Sequence, residues 1–218
     1  CKAVLKEGRK LLGAKATVNV GVSTFIPKPH TPFQWVPQDS HEQVDAKLRL
    51  LKSQLREGGL HLRWNAFEDS DFEGWLSRGD RRLGAVIERA WRMGCRFDAW
   101  MDKHHHPVWL QAFADEGLDP SFYTTRERDI TEVFAWDHID AAVHKKFLVE
   151  DYLMSIKGET RVDCRDQCFA CGILPKFKDI RSQTEATDWE CPPVKPISER
   201  KRKDTDETIR VPNVTLLP

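Results

Sequence analysis

Three cysteines near the end of the chain, Cys164, Cys168 and Cys171, have the residue type and the spacing of a metal or cluster site. They fall within eight residues, so their thiolates can converge on one ion or cluster, and Gly172 after the third lets the backbone fold round it. Scattered free cysteines would seldom lie so close together, and disulfides suit a reduced compartment poorly. The spacing therefore predicts a metal or iron-sulfur site.

The sequence leaves the fourth ligand of this site open. Cys191 lies twenty residues beyond Cys171, in a Trp-Glu-Cys-Pro context, and can complete a set of four thiolates. Cys95 and an open coordination position are the alternatives. Zinc and an auxiliary iron-sulfur cluster both accept thiolate ligands, so we expect one of these two.

A second candidate site is the proline-spaced segment 25–35, which contains Lys28, His30 and Thr31. Its three prolines fix the backbone φ angle and remove hydrogen-bond donors, so the chain must leave any sheet here in an extended path. The segment follows the β-branched run 16–23, which predicts that these side chains lie at the carboxyl end of a strand, where ligands often bind. A stiff surface turn is the competing interpretation.

Three other polar clusters are weaker candidates. The consecutive histidines 104–106 cannot all point at one ion, so we do not expect them to bind a metal. The cluster 78–82 is interpreted as a helix start with solvated charges, and Asp137 as the N-cap of the last helix. We therefore expect Arg78, Asp80 and Asp137 to act mainly in structure.

The elements that must position these residues alternate at first and are helical later. Apolar periodicity predicts a helix over 2–12, a strand over 17–22, a helix after the capping box of Ser40 and Gln43, and a strand over 60–65. This order is typical of part of an α/β barrel. Helical periodicity then continues, around residues 72–76, 83–91, 109–113 and 143–152.

Four segments occur in a fixed order and spacing: VSTFIPKPHTPFQW, SRGDRRLGAVIERAWRMGCRFDAW, WDHID and DCRDQCFACG. Together they resemble the C-terminal half of the cobalamin-binding-domain-containing radical SAM proteins, over about residues 11–172. The resemblance implies an α/β, predominantly helical fold: the C-terminal end of a partial TIM barrel, a helical subdomain and a Cys-rich knuckle. We expect their boundaries at 1–66, 67–160 and 161–191, with 192–218 as an extended tail.

The resemblance also implies an activity. Such proteins cleave S-adenosylmethionine (SAM) reductively at a 4Fe-4S cluster and use the radical on a substrate, which the resemblance does not name. In full-length relatives the cluster cysteines and a cobalamin domain lie upstream, and helix 2–12 has no opening cap, so we expect a fragment that is inactive without its N-terminal half. Lys28, His30 and Thr31 would then contact SAM or substrate at the barrel mouth, and cobalamin is a further candidate cofactor.

The knuckle cysteines have the same spacing as a SAM-cleaving cluster site. Such a site opens a barrel and usually has an aromatic residue just before the third cysteine, where this chain has Ala170. We therefore expect an auxiliary iron-sulfur or zinc site here. The alternative function is a non-enzymatic zinc-knuckle or iron-sulfur module that docks RNA or protein through the turn 164–171 and the basic cluster 200–203.

The composition of the chain limits the kinds of partner that we expect it to bind. Thirty-four basic residues balance thirty-four acidic ones, so no overall field attracts nucleic acid or an anionic membrane. The sequence contains neither an apolar run of membrane-spanning length nor a recognisable leader, and we expect a cytoplasmic protein with no membrane partner.

Overall fold

The computed structural model describes residues 1–100, 105–183, 185, 191–193 and, for the backbone, 202–203. The described chain is α/β and mostly helical, as the sequence predicts. Its elements are α1 (Lys2–Leu12), β1 (Val18–Val22), α2 (His41–Gln54), β2 (Leu60–Trp64), α3 (Phe67–Arg78), α4 (Leu83–Arg92), α5 (His106–Asp115), α6 (Lys145–Ile156), β3 (Thr160–Arg161), α7 (Ile173–Lys176), α8 (Lys178–Arg181) and β4 (Arg202–Lys203).

The chain divides into two compact units. The first contains residues 1–29 and 34–136, and the second contains residues 30–33 and 137–218. Within the described residues, none of the helices is both long and apolar enough to cross a membrane.

Two parallel strands form the sheet of the first unit. β1 pairs with β2 in the register Val18↔Leu60 to Val22↔Trp64, and α2 connects them. Residues alternate between a more buried face with valines and leucines and an exposed face, which confirms the predicted half-buried strands. In the described part of the chain this sheet has two strands, so a partial TIM barrel is not shown.

A local sequence signal sets the N-terminal start of α2. The Ser40 hydroxyl accepts a hydrogen bond from the Gln43 backbone N–H (3.4 Å), and the Gln43 side chain accepts one from the Ser40 N–H (2.8 Å). The predicted capping box is therefore confirmed.

The helical part of the first unit has an aromatic core. Trp75 of α3 packs edge-on against Phe113 of α5 with ring centres 4.9 Å apart, and Phe72 packs likewise on Trp109 at 4.8 Å. Val86 and Ala90, both on the apolar stripe of α4, complete this core and are almost fully buried. The helical periodicity of the sequence is thus confirmed by packing.

Arg78, at the end of α3, is buried and binds backbone carbonyls. Its guanidinium donates hydrogen bonds to the carbonyl oxygens of Gln34 (3.2 Å), Val36 (3.0 Å) and Thr124 (3.2 Å). Burial, reinforced by the charge of Arg128, lowers the pKa of Arg78 to about 9, so it still carries its charge at neutral pH. These contacts join three separate segments and support the predicted structural role of Arg78.

The prediction for Asp137 needs correction. Asp137 does not cap the last long helix, because α6 begins at Lys145 with His144 at its N-cap position. The Asp137 carboxylate instead forms an ion pair with Lys145 in the first turn (2.6 Å). Within the segment 192–218, predicted to be an extended tail, Arg202–Lys203 pair antiparallel with Thr160–Arg161; most other residues of that segment lie outside the described residues.

Candidate functional site

The knuckle cysteines lie in a turn between β3 and α7. Ala170 and Gly172 both have left-handed backbone conformations, with φ of 56° and 114°. The Ala170 N–H donates a hydrogen bond to the Cys168 sulfur at 3.5 Å. Cys168 is buried, Cys171 half-buried and Cys164 exposed. The backbone therefore wraps round the Cys168 sulfur, which suits a metal ligand.

Side chains of the second unit hold this turn against α6. The Arg161 guanidinium lies between the rings of Phe147 (4.9 Å) and Phe169 (4.7 Å). It also forms ion pairs with Glu150 (3.2 Å) and Asp151. A cation between two aromatic faces, anchored by two carboxylates, holds Phe169 of the turn in place.

We predict that Gly172→Ala destabilises the turn by more than conformational strain alone. A methyl group at Gly172 would lie 2.9 Å from the Ala142 carbonyl oxygen and 2.8 Å from the His144 ring, so backbone or ring must move. The expected loss of unfolding free energy is about 3 kcal/mol, measured by chemical denaturation.

Gly158→Ala is the matched control for this substitution. Gly158 also has a positive φ of 70°, but a methyl group there meets no atom within 4 Å. Its replacement should cost only about 1 kcal/mol. Equal losses for the two variants would show that the close approach at Gly172 contributes nothing.

Cys191 belongs to the neighbourhood of the three knuckle thiols. Burial raises the pKa of the Cys191 thiol, and so do the charges of Cys168, Cys164 and Cys171 and a hydrogen bond with Cys168. Even so, no three His, Cys, Asp or Glu side chains in the described part of the chain converge closely enough to hold a metal ion as they stand.

A cavity of about 230 Å³ opens at the carboxyl ends of β1 and β2. Ser23 and Thr24, just after β1, and Asn65, just after β2, supply polar groups, whereas Val44 and Leu48 of α2 supply an apolar wall. A mostly apolar wall with a few polar groups is typical of small-molecule sites. A larger cavity of about 540 Å³ also touches Asn65 and has acidic groups from Asp69, Glu73 and Asp98.

The three residues expected at the barrel mouth fall in different units. Lys28 belongs to the first unit, where its ammonium group forms an ion pair with Glu73, a residue that lines the larger cavity. His30 and Thr31 group with the second unit, and His30 has a left-handed backbone with φ of 56°. Their contact with SAM or substrate stays a prediction.

The exposed face of the two-stranded sheet carries polar residues that were not among the sequence-based site candidates. Asn19, His61 and Arg63 lie on the exposed face of the two-stranded sheet, where Asn19 pairs in register with His61. The alternation Leu60-His61-Leu62-Arg63 could have identified this face from the sequence, because it places polar side chains on one side of a strand. We consider this polar face below as a ligand-facing surface.

Comparison with known protein families, with curated proteins and with solved structures finds no significant match to this chain.

Proposed function

We propose that this chain is the C-terminal part of a radical SAM enzyme, which cleaves SAM reductively to start radical chemistry on a substrate that remains to be identified. The observation that carries the proposal is the parallel β1–α2–β2 unit with a cavity at the carboxyl ends of both strands. Ligands bind at that edge in parallel α/β folds. The resemblance of four sequence segments to this family supplies the type of reaction.

The remaining barrel strands would come from the N-terminal half of the same protein. Among the described residues β1 and β2 pair only with each other, so each has an edge on which a further strand can pair. In such a barrel the valine and leucine face would pack under the helices. The polar face with Asn19, His61 and Arg63 would then line the barrel interior.

Residues of this chain would bind and shield the ligand rather than perform the electron transfer. SAM, bound with a 4Fe-4S cluster of the N-terminal half, supplies the one-electron chemistry when present. Ser23, Thr24 and Asn65 offer hydrogen bonds at the strand ends. The apolar side chains of α2 exclude water from the same cavity, which protects a reactive radical from side reactions.

The knuckle would hold a separate metal, either zinc or an auxiliary iron-sulfur cluster, through Cys164, Cys168 and Cys171. Thiolates are the ligands that both groups prefer, and the Ala170 N–H already donates a hydrogen bond to the Cys168 sulfur. A non-enzymatic module that docks RNA or protein would use the same turn. The activity test below separates the two functions.

The test uses the natural-length protein, reconstituted anaerobically with iron and sulfide and incubated with SAM and dithionite. We expect 5′-deoxyadenosine to form only when both cluster and protein are present, measured by chromatography. A protein with a fully assembled upstream cluster that forms no deoxyadenosine would overturn the enzymatic proposal and favour the docking module.

His30→Asn and Thr31→Val test the loop within that protein. Asparagine tolerates the left-handed backbone of residue 30, so the substitution removes the imidazole without adding strain. Each variant should weaken SAM binding by about tenfold, the equivalent of one lost hydrogen bond, with nearly unchanged stability. His138→Asn, at an exposed histidine, is the control. Deoxyadenosine formation with unchanged SAM affinity in both variants would leave the enzyme assignment intact and remove the loop from the site.

A further inference from the structure

We propose that the polar face of the β1–β2 sheet binds an anionic group of the substrate, a phosphate or a carboxylate. Arg63 would hold the anion, Asn19 and His61 would donate hydrogen bonds to it, and Gly21 would leave the room that it needs. The choice of the substrate as the source of the anion rests on the proposed function, whereas anion binding by this face does not.

The parallel register brings these four residues together on one face. Asn19 pairs with His61 and Gly21 with Arg63, and all four are exposed. Neighbouring strands lie about 4.8 Å apart, and residues two positions apart on one strand lie about 7 Å apart. At such separations a guanidinium group, an imidazole N–H and an amide N–H can all reach one anion.

The charge of Arg63 has no counterpart in the described part of the chain. Among those residues its guanidinium forms neither an ion pair nor a hydrogen bond. The segments VNVGV and LHLRW of β1 and β2 also contain no acidic residue. Parallel sheets are covered on both faces in larger folds, and a covered cation without a partner is strongly unfavourable. Arg63 therefore needs an anion once the second face of the sheet is covered.

Gly21 favours a ligand over an acidic side chain as the source of this anion. A Cβ atom at Gly21 would meet no atom within 4 Å, so the space next to Arg63 on the sheet is open. Bulky branched side chains fill the interior of a barrel that has no ligand there. This face instead has the short residues Asn19 and Gly21, followed by Ser23 just after β1. The open volume beside Arg63 suits part of a bound molecule.

The position of the face favours the substrate over SAM. In the proposed enzyme SAM is held beside the cluster of the N-terminal half, on strands that precede this chain. β1 and β2 would form the last part of the barrel wall, which leaves their polar face for the substrate. The planar fork of arginine matches phosphate and carboxylate oxygens in pairs, so Arg63 would select an anionic substrate.

The test follows chemical labelling of arginine in the natural-length protein, first without cluster or SAM. Phenylglyoxal modifies accessible guanidinium groups, and mass spectrometry of the peptides gives the labelling rate of each arginine. Inorganic phosphate is the probe. The rate at Arg63 should fall to about one-tenth when phosphate exceeds its dissociation constant about tenfold. Arg49, an exposed arginine on α2, should be labelled equally with and without phosphate.

Gly21→Val fills the space that the anion needs. Valine suits a strand, so the variant should fold, but it should lose the phosphate binding that calorimetry measures in the unchanged protein. Gly58→Val is the control, at a glycine that also has open space around it but lies in the turn before β2. His61→Gln removes the imidazole and should weaken phosphate binding by about tenfold, as expected for one charge-assisted hydrogen bond.

Three outcomes would overturn the anion site. Phosphate may not change the labelling of Arg63 more than that of Arg49, or potassium chloride of equal ionic strength may protect Arg63 as well, which would indicate screening alone. An Arg63 that is unreactive even without phosphate would show that a carboxylate of the N-terminal half already pairs with it.

A further arm identifies the source of the anion. In the reconstituted protein SAM alone should leave Arg63 reactive, and phosphate should still protect it when SAM is bound. Protection by SAM alone would overturn the assignment to the substrate. Deoxyadenosine formation without phosphate protection would overturn the anion site and leave the proposed function intact. Phosphate protection without deoxyadenosine would keep the anion site but overturn the radical reaction and the assignment to its substrate.

Discussion

The Arg78→Met variant should lose about 3 kcal/mol of unfolding free energy. Methionine fills a similar volume but leaves the buried carbonyl oxygen of Gln34 and the partly buried one of Val36 without the donor that Arg78 provides, at about 1–3 kcal/mol for each group. The Thr124 carbonyl is less affected, because it also accepts the Gln38 backbone N–H at 2.9 Å. The buried Arg78 cation lies near the charge of Arg128, which is unfavourable. Removing it with methionine therefore offsets part of the lost unfolding free energy.

Denaturant titration followed by tryptophan fluorescence measures this loss, and two variants control it. Arg81→Met removes an exposed arginine three residues away and should change stability by less than about 0.5 kcal/mol. Arg78→Lys keeps the charge but not the planar fork that reaches three carbonyls, so it should recover little. If Arg78→Met were as stable as Arg81→Met, the carbonyl contacts would not hold the three segments together.

Cys168→Ser should abolish binding of the metal proposed for the knuckle and destabilise the second unit by several kcal/mol. Metal-binding free energy becomes folding free energy when the site forms only in the folded chain. Cys168 is the most buried of the three knuckle thiols, so a serine there also puts a hydroxyl into a packed wall.

Thermal unfolding with and without a chelator separates these two effects. The unchanged protein should lose stability when the chelator is added, whereas Cys168→Ser should be insensitive to it. Cys95→Ser serves as the control at another buried cysteine, and it should keep both its metal and its chelator response. A Cys168→Ser protein that retains stoichiometric metal would contradict the assignment of this ligand.

The sequence alone predicted the features that depend on neighbouring residues. The capping box of Ser40 and Gln43, the two strands and the helix around residues 83–91 agree with the structure, because each depends on residues a few positions apart. The knuckle is a local pattern too: Cys168, Ala170 and Gly172 share one turn, and its left-handed positions follow within four residues of Cys168.

Only the tertiary structure decided features that depend on distant partners. Arg78 looked like solvated charge at a helix start, yet it is buried because residues 34–36 and 124 bring carbonyls to it. Asp137 had a suitable type for a cap, but Lys145 offers an ion pair and α6 starts at that residue. A residue's type and spacing specify what it can bind, whereas packing between remote segments determines which partner is within reach.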